Sequence, residues 1–294
     1  MVTILKQDEK LGSLLWLGAG KIAAQFALLE DFEVFSPRFG VRRNSGAVAT
    51  GFSALSTDFN QVDCLAGLGL EQQAINQVVI TLTPPARSRE GYELGYVAAS
   101  RNLIESLKRL GQSPERVIFV SSTSVYGQSD GQWVDESSPT EPDHFSGQCL
   151  LAAEALWRDS GWPSCSVRFS GIYGPGRFRL LQQVAKGVGG SKTPPVYSNR
   201  IHEVDCARVI AHLLRLETLP EAIIATDNDS APQWQVRAWL AEQMGVGEHS
   251  LTETDTGGAS KRLSNQRLLD TGFDFRYPSY QQGYPDIIEQ YLSD

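Results

Sequence analysis

The chain has 294 residues, 41% of them apolar and 20% charged, with 27 Gly and 14 Pro. This mixture excludes a disordered, collagen-like or coiled-coil protein and leaves enough chain for one large domain or two joined ones. Lys and Arg total 26 against 34 Asp and Glu, and the net charge of −8 speaks against bulk attraction to nucleic acid or to an anionic membrane.

The four cysteines, Cys64, Cys149, Cys165 and Cys206, form no C-x-x-C pair. They read as reduced, buried thiols of a cytoplasmic protein, and no metal site is expected. No run reaches eighteen apolar residues, so no membrane span is expected. The apolar stretch 11–19 follows Asp8 and Glu9, where a signal peptide carries basic residues, and leads into a glycine turn. It is not read as a leader.

In chain order, residues 14–17 read as a short buried strand, 18–20 as a turn and 21–29 as a helix. Residues 32–36 read as a second strand stopped by Pro37, and 38–76 have no single reading. The run QVVITL at 77–82 is a further buried strand, stopped by Pro84 and Pro85. Residues 90–110 have helical spacing, with Gly111 as the stop. A strand at 116–120, a helix at 148–159 and a strand at 164–169 follow. Alternation of this kind predicts an α/β fold with a doubly wound parallel sheet, its helices on both faces. Past residue 175 come a loop at 187–195, a helix at 204–216, a short strand at 222–225, a helix at 233–244 and an aromatic tail.

The segment Leu14-Leu-Trp-Leu-Gly18-Ala-Gly20-Lys-Ile-Ala23 spells G-x-G-x-x-A after an apolar strand and before a helix. In that context Gly18 permits a tight turn, Gly20 lets a pyrophosphate approach the backbone, and Ala23 keeps helix and strand close. The first-turn amides, Lys21 and Ile22 among them, are then free to meet a diphosphate. A bare structural turn is the competing reading. Where a NAD site carries an acid for the ribose hydroxyls, this chain has Ser36-Pro37-Arg38, with Arg42 and Arg43 just beyond. A guanidinium suits a 2′-phosphate, so NADP(H) is favoured over NAD(H); solvated loop arginines are the alternative.

Residues 117–127 read VIFVSSTSVYG. This string resembles the S-S-x-x-V-Y-G segment of the extended short-chain dehydrogenase/reductases, the NAD(P)-dependent sugar-nucleotide epimerases and dehydratases. The stretch 167–177, VRFSGIYGPGR, resembles the family's R-x-x-x-x-Y-G-P-G-R turn. Ile201-His-Glu-Val-Asp205 resembles its I-H-V-x-D segment, and 277–283, YPSYQQG, its C-terminal helix entry. The resemblance implies a Rossmann domain (1–176 plus 201–226) with a smaller C-terminal α/β substrate-binding lobe (177–200 plus 227–294). It places Leu82 and Thr83 beside the adenine ribose, and Phe169 and Ile172 near the nicotinamide. Ser122 takes the place of the catalytic Ser/Thr; strand-end capping is its simpler role.

The family's Tyr-x-x-x-Lys dyad is missing. Aligned on Glu154, its places hold Ser146 and Leu150; shifted by one, they hold Phe145 and Cys149. None of the seven lysines has a tyrosine four residues before it. The chain is therefore similar to the atypical branch of the superfamily, and its proton donor must be another residue. Tyr126, Tyr173, His144 and His202 are the candidates by motif, Tyr126 and His202 having packing and structural hydrogen bonding as their competing roles. Arg177, Arg179, Arg200 and His202 are candidates on the substrate side, although Ser198 stands where the family usually has its phosphate-binding Arg.

Two decoys are set aside. Residues 127–131 spell G-x-S-x-G, but no helix is expected after them, as a nucleophile elbow needs. Tyr173 and Arg177 imitate the dyad on a Gly-Pro-Gly turn, where Arg cannot titrate. The resulting reading is an NAD(P)-binding oxidoreductase or epimerase/dehydratase-like protein acting on an unidentified small molecule of the nucleotide-sugar kind. The alternative is a non-catalytic NADP(H) sensor or scaffold. Oligomeric state is not legible.

Overall fold

A computed structural model describes residues 4–5, 9–254 and 260–293; Asp8, used above against a leader, lies outside them. Its centre is a seven-stranded sheet built on β1 (Gly12–Leu17), β2 (Phe35–Arg42), β3 (Ser53–Ser56), β4 (Gln77–Ile80) and β5 (Arg116–Ser122). Strands Ser164–Phe169 and Ala222–Ala225 complete it. From one edge the order is β3, β2, β1, β4, β5, then these two, which is the doubly wound arrangement. The pairs β1–β2, β2–β3, β1–β4 and β4–β5 are parallel. Every residue of β4 is buried, as a strand covered on both faces demands.

The contact pattern divides the chain into two compact units. The first is made of 1–126, 140–168 and 207–223; the second of 127–139, 169–206 and 224–294.

In the first unit, α1 (Lys21–Phe26) is shorter than the predicted helix. The segment after it forms a 3₁₀ turn, Glu30–Val34, whose Phe32 packs edge-on to Phe26 and Phe52 at 6.1 and 5.2 Å between ring centroids. The second strand differs from its prediction: it begins at Phe35 and runs to Arg42 rather than ending at Ser36. Pro37 does not stop it, because β3 pairs only with Phe39–Arg42 and no ladder bond on that side needs the missing N–H.

The predicted helix at 90–110 is present but interrupted. Arg89–Tyr92 and Ala99–Arg109 are α-helical, and Glu93–Ala98 between them is π-helical. Gly91 and Gly95 press this stretch onto the chain leaving β4; a Cβ on Gly95 would lie 2.6 Å from Pro84 Cα. The next helix is Phe145–Arg158, capped by His144.

In the second unit, Gly171–Tyr173 pairs in parallel with Arg200–His202, and Ser260–Leu263 with Asp130–Val134. Helix Gln233–Gln243 and the terminal helix Pro285–Ser293 pack their apolar faces into a core with Tyr173, Leu181 and Tyr284. Among the described residues no helix is long and apolar enough to cross a membrane.

Candidate functional site

The glycine turn lies where strand order reverses, at the carboxyl ends of β1 and β4, the place at which open α/β sheets bind ligands. Gly18 has φ +89°, and a Cβ there would sit 2.5 Å from the Thr81 carbonyl oxygen. Thr81 secures the turn: its hydroxyl donates to Gly18 O at 2.8 Å and accepts from Trp16 Nε1 at 2.8 Å. The amides of Gly18 and Ala19 are taken by Val41 O, and that of Gly20 by Gly18 O. The first helical bond runs from Ala24 N to Gly20 O, so Lys21 and Ile22 keep amides with no acceptor inside the helix. A Cβ on Gly20 would meet nothing nearer than Arg42 Nη1 at 3.7 Å. An approachable backbone, free amides and a nearby guanidinium fit a dinucleotide diphosphate. With only six residues in α1, these local groups rather than a long helix dipole supply the attraction.

The longer course of β2 changes which residues stand at its carboxyl end. Ser36 and Arg38 stand near the start of the strand, not at its carboxyl end. Arg38 is also engaged: Nη1 donates to Phe32 O at 3.2 Å and to Glu33 Oε1 at 3.0 Å, and the guanidinium lies 4.2 Å over the Phe32 ring. The carboxyl end carries Arg42, Arg43, Asn44 and Ser45 instead, with no acid among them. Arg42 Nη1 donates to Ala47 O at 2.6 Å, and the Asn44 side chain accepts from Gly46 N, which shapes the following turn; Arg43 is exposed. Leu82 and Thr83 follow β4 beyond Thr81, half-buried and exposed respectively.

At the end of β5, Ser122 is half-buried, and its hydroxyl accepts from Ser124 N at 3.2 Å. Tyr126 is only 2% exposed, and its hydroxyl accepts from Arg168 Nη1 at 2.7 Å. Arg168 also donates to Glu154 through Nε at 3.1 Å and Nη2 at 2.7 Å, while Glu154 Oε1 accepts from Ser121 Oγ at 2.5 Å. Burial works against the Arg168 charge, but Glu154 and Tyr126 outweigh it and hold the guanidinium protonated. Tyr126 is thus a fixed acceptor inside a buried ion-pair network, the packing role weighed above. The network was missed from sequence because its four members lie on three separate segments.

At the dyad's places, Ser146 Oγ pairs with His144 Nδ1 at 2.9 Å, and Leu150 is 3% exposed. His144 serves as the helix cap. In the shifted register, Phe145 packs on Tyr92, and Cys149 Sγ donates to Glu93 Oε1 at 3.6 Å.

In the second unit, His202 is buried between Tyr277 at 4.0 Å and Tyr173 at 5.1 Å. Its Nδ1 accepts from Val204 N at 3.2 Å. Burial, aided by the Arg276 charge, pushes its pKa down to about 4, so it is neutral at pH 7 and is no proton donor there. Burial likewise raises the Tyr173 phenol. Arg200 is enclosed, its Nη1 and Nη2 donating to Asp229 O and Ser198 O at 3.2 and 2.9 Å. Arg177 is partly exposed and paired with Glu203 at 3.1 Å; Arg179 is exposed. Phe169 is buried and Ile172 half-buried. Ser129 of the G-x-S-x-G string leads into the strand Asp130–Val134, not a helix. Asp227 has one carboxylate oxygen 4.0 Å from Arg200 and without a hydrogen bond; burial, against the pull of Arg200, raises its pKa to about 7.

Sheet order and glycine turn define a Rossmann-type α/β protein. The model of the NAD-dependent epimerase/dehydratase family matches residues 70–216. Protein YeeZ of Escherichia coli K12 is 30% identical over 207 residues, a match covering 68% of this chain and 71% of YeeZ. A Methylobacillus flagellatus structure assigned to the NAD-dependent epimerases/dehydratases is 30% identical, with TM-score 0.77, covering 97% of this chain and all of that one. The dTDP-glucose 4,6-dehydratase of Bacillus anthracis, solved with NAD, shares the fold at 15% identity, with TM-score 0.76 and 97% of each chain covered. The chain belongs to the NAD-dependent epimerase/dehydratase family.

Proposed function

We propose that the chain is a cytoplasmic, NADP(H)-preferring oxidoreductase or epimerase/dehydratase-like enzyme acting on a small molecule. Gly18, Gly20, Lys21 and Ile22 hold the diphosphate, and Leu82, Thr83, Phe169 and Ile172 line the rest of the cofactor by family resemblance. When bound, the nicotinamide supplies a hydride acceptor or donor. Ser122 orients the substrate oxygen, and Arg177 is the substrate-side cation with partial exposure. Neighbours of similar fold are dTDP- and UDP-sugar enzymes, one of them solved with UDP-glucose and NAD, which supports a substrate of that kind.

The observation that carries the NADP(H) preference is Arg42 at the carboxyl end of β2, beside Gly20, with the exposed Arg43 next in the chain and no carboxylate. Ser36 and Arg38 are withdrawn from that role. Calorimetry with NADPH and NADH tests it. Arg43→Ala, at an exposed side chain, is expected to weaken NADPH about 10- to 100-fold, the worth of one charge-assisted hydrogen bond, and leave NADH unchanged. Tighter binding of NADH, or equal losses for both, refutes it.

A second reading, a sensor without turnover, is favoured by the locked Tyr126 hydroxyl and by Ser146 and Leu150 at the dyad's places. Turnover with any carbonyl compound or nucleotide sugar rules it out.

A further inference from the structure

In a parallel sheet each strand hands its chain to a helix at the carboxyl edge. Two helices of the first unit therefore start beside the glycine turn and Ser122: the one entered at Arg89 after β4, and Phe145–Arg158 after β5. They are tied to each other along their length. Near the start, the Tyr92 ring meets Phe145 at 5.4 Å, and Arg89 Nη2 donates to Gln148 Oε1 at 3.0 Å. Farther along, Trp157 Nε1 donates to Ser100 Oγ at 3.0 Å.

Tyr96 lies between these contacts, on the π-helical segment and 5.4 Å from the Tyr92 ring. The register set by the ties at either end puts it about level with Leu151, one or two residues past Cys149 and Leu150, which hold the Lys place of the missing dyad in its two alignments. Its ring is half-buried, and its phenol makes no hydrogen bond among the described residues. Burial, with Tyr92 adding to it, pushes its pKa up to about 12, so at neutral pH it carries its proton. A π turn in a helix re-aims the side chains it carries and recurs at functional sites. The phenol is not among the buried polar atoms left without a partner, so it is open to water or to a ligand.

We propose that Tyr96 is the acid–base residue of this site, its phenol taking the role of the tyrosine absent from helix Phe145–Arg158. The proposal rests on the cofactor reading above. In the reducing direction the Oη–H bond breaks and its proton passes to the substrate oxygen, while the attached carbon gains the hydride given up by NADPH. The phenolate recovers a proton from water, and oxidation runs the same transfers backwards. With apolar Leu150 at the lysine place, no ammonium lowers this phenol's pKa. The positive charge of an oxidised nicotinamide beside it would.

The test labels the tyrosines with ¹³C at Cζ and follows their resonances from pH 7 to 10.5, without and with saturating NADP⁺. One resonance is expected to titrate in this range only when NADP⁺ is present, to vanish in Tyr96→Phe and to persist in Tyr92→Phe. Both variants keep their rings, and thermal melts report folding. Calorimetry on the same samples separates the two levels of the reading. No heat with NADP⁺ sinks the cofactor reading and this one with it. Heat with no such resonance, or with one that survives Tyr96→Phe, overturns the role of Tyr96 alone.

Discussion

Glu154→Gln probes the buried network that fixes the end of β5. The carboxylate accepts three hydrogen bonds, two from Arg168 and one from Ser121, and both charged partners are under a tenth exposed. Replacing it with an amide leaves a buried guanidinium without a counter-charge, a change that costs about 3–5 kcal/mol. Two acceptors remain, the Gln oxygen and the Tyr126 hydroxyl, which places the loss near ~3 kcal/mol. For a unit of this size that is a fall in melting temperature of roughly 6–12 °C. Urea unfolding followed by tryptophan fluorescence measures it, since Trp157 lies on the helix that carries Glu154. The double variant Glu154→Leu with Arg168→Met removes both charges and is expected to recover part of the loss, the Ser121 and Tyr126 hydroxyls each losing the hydrogen bond that this pair supplied. A single variant within ~1 kcal/mol of the parent would refute the network's role. So would a double variant as unstable as Glu154→Gln.

Gly18→Ala is expected to cost about 1–3 kcal/mol and abolish dinucleotide binding, because the new Cβ meets the Thr81 carbonyl at a φ of +89°; calorimetry with NADPH reads the loss. His202 and Asp227 tilt the pH dependence of the second unit in opposite senses. His202 stays neutral in the fold down to about pH 4 but protonates near 6.5 when unfolded, so its share of stability is whole above 6.5 and falls as the pH drops towards 4. Asp227 keeps its proton in the fold up to about pH 7 yet loses it near 3.8 when unfolded, so its share is whole below 3.8 and is lost as the pH rises to 7. Asp227→Asn is therefore expected to stabilise the protein at pH 8, by up to ~4 kcal/mol, and to steepen the fall between pH 6.5 and 4. His202→Gln is expected to leave the opposite slope, with stability declining from pH 4 to 7. Melting temperatures across pH 4–8 decide both, and an unchanged profile in either variant contradicts its assignment.

Runs of buried apolar residues made most of the sheet legible: residues 164–169 and 222–225 are strands within the bounds their composition suggests, and β1, β4 and β5 differ from theirs by two residues or fewer. Local chemistry misleads at Pro37: proline reads as a stop, although the neighbouring strand has not yet begun there. With a stop at Pro37 the strand end falls at Ser36–Arg38, whereas the observed strand ends at Arg42. The glycine turn was readable because its φ and close approach are local demands on residue type. Thr81 and Glu154 were not, because each matters through partners well separated along the chain, and no spacing rule links Arg168 to Tyr126 or Ser100 to Trp157. The π-helical turn was equally hidden, its apolar positions fitting an ordinary helix.

The two units are interleaved along the polypeptide: each is assembled from three stretches, and the thread leaves and re-enters the first unit twice before ending in the second. No single cut in the gene separates the two units. A product ending before residue 207 lacks parts of both, and a ribosome releasing the first 126 residues has delivered the glycine turn and Ser122 but neither helix Phe145–Arg158 nor the Arg168 that anchors Tyr126. Cooperative acquisition of structure must therefore wait for most of the chain, and domain-by-domain expression is a poor route to dissecting its chemistry.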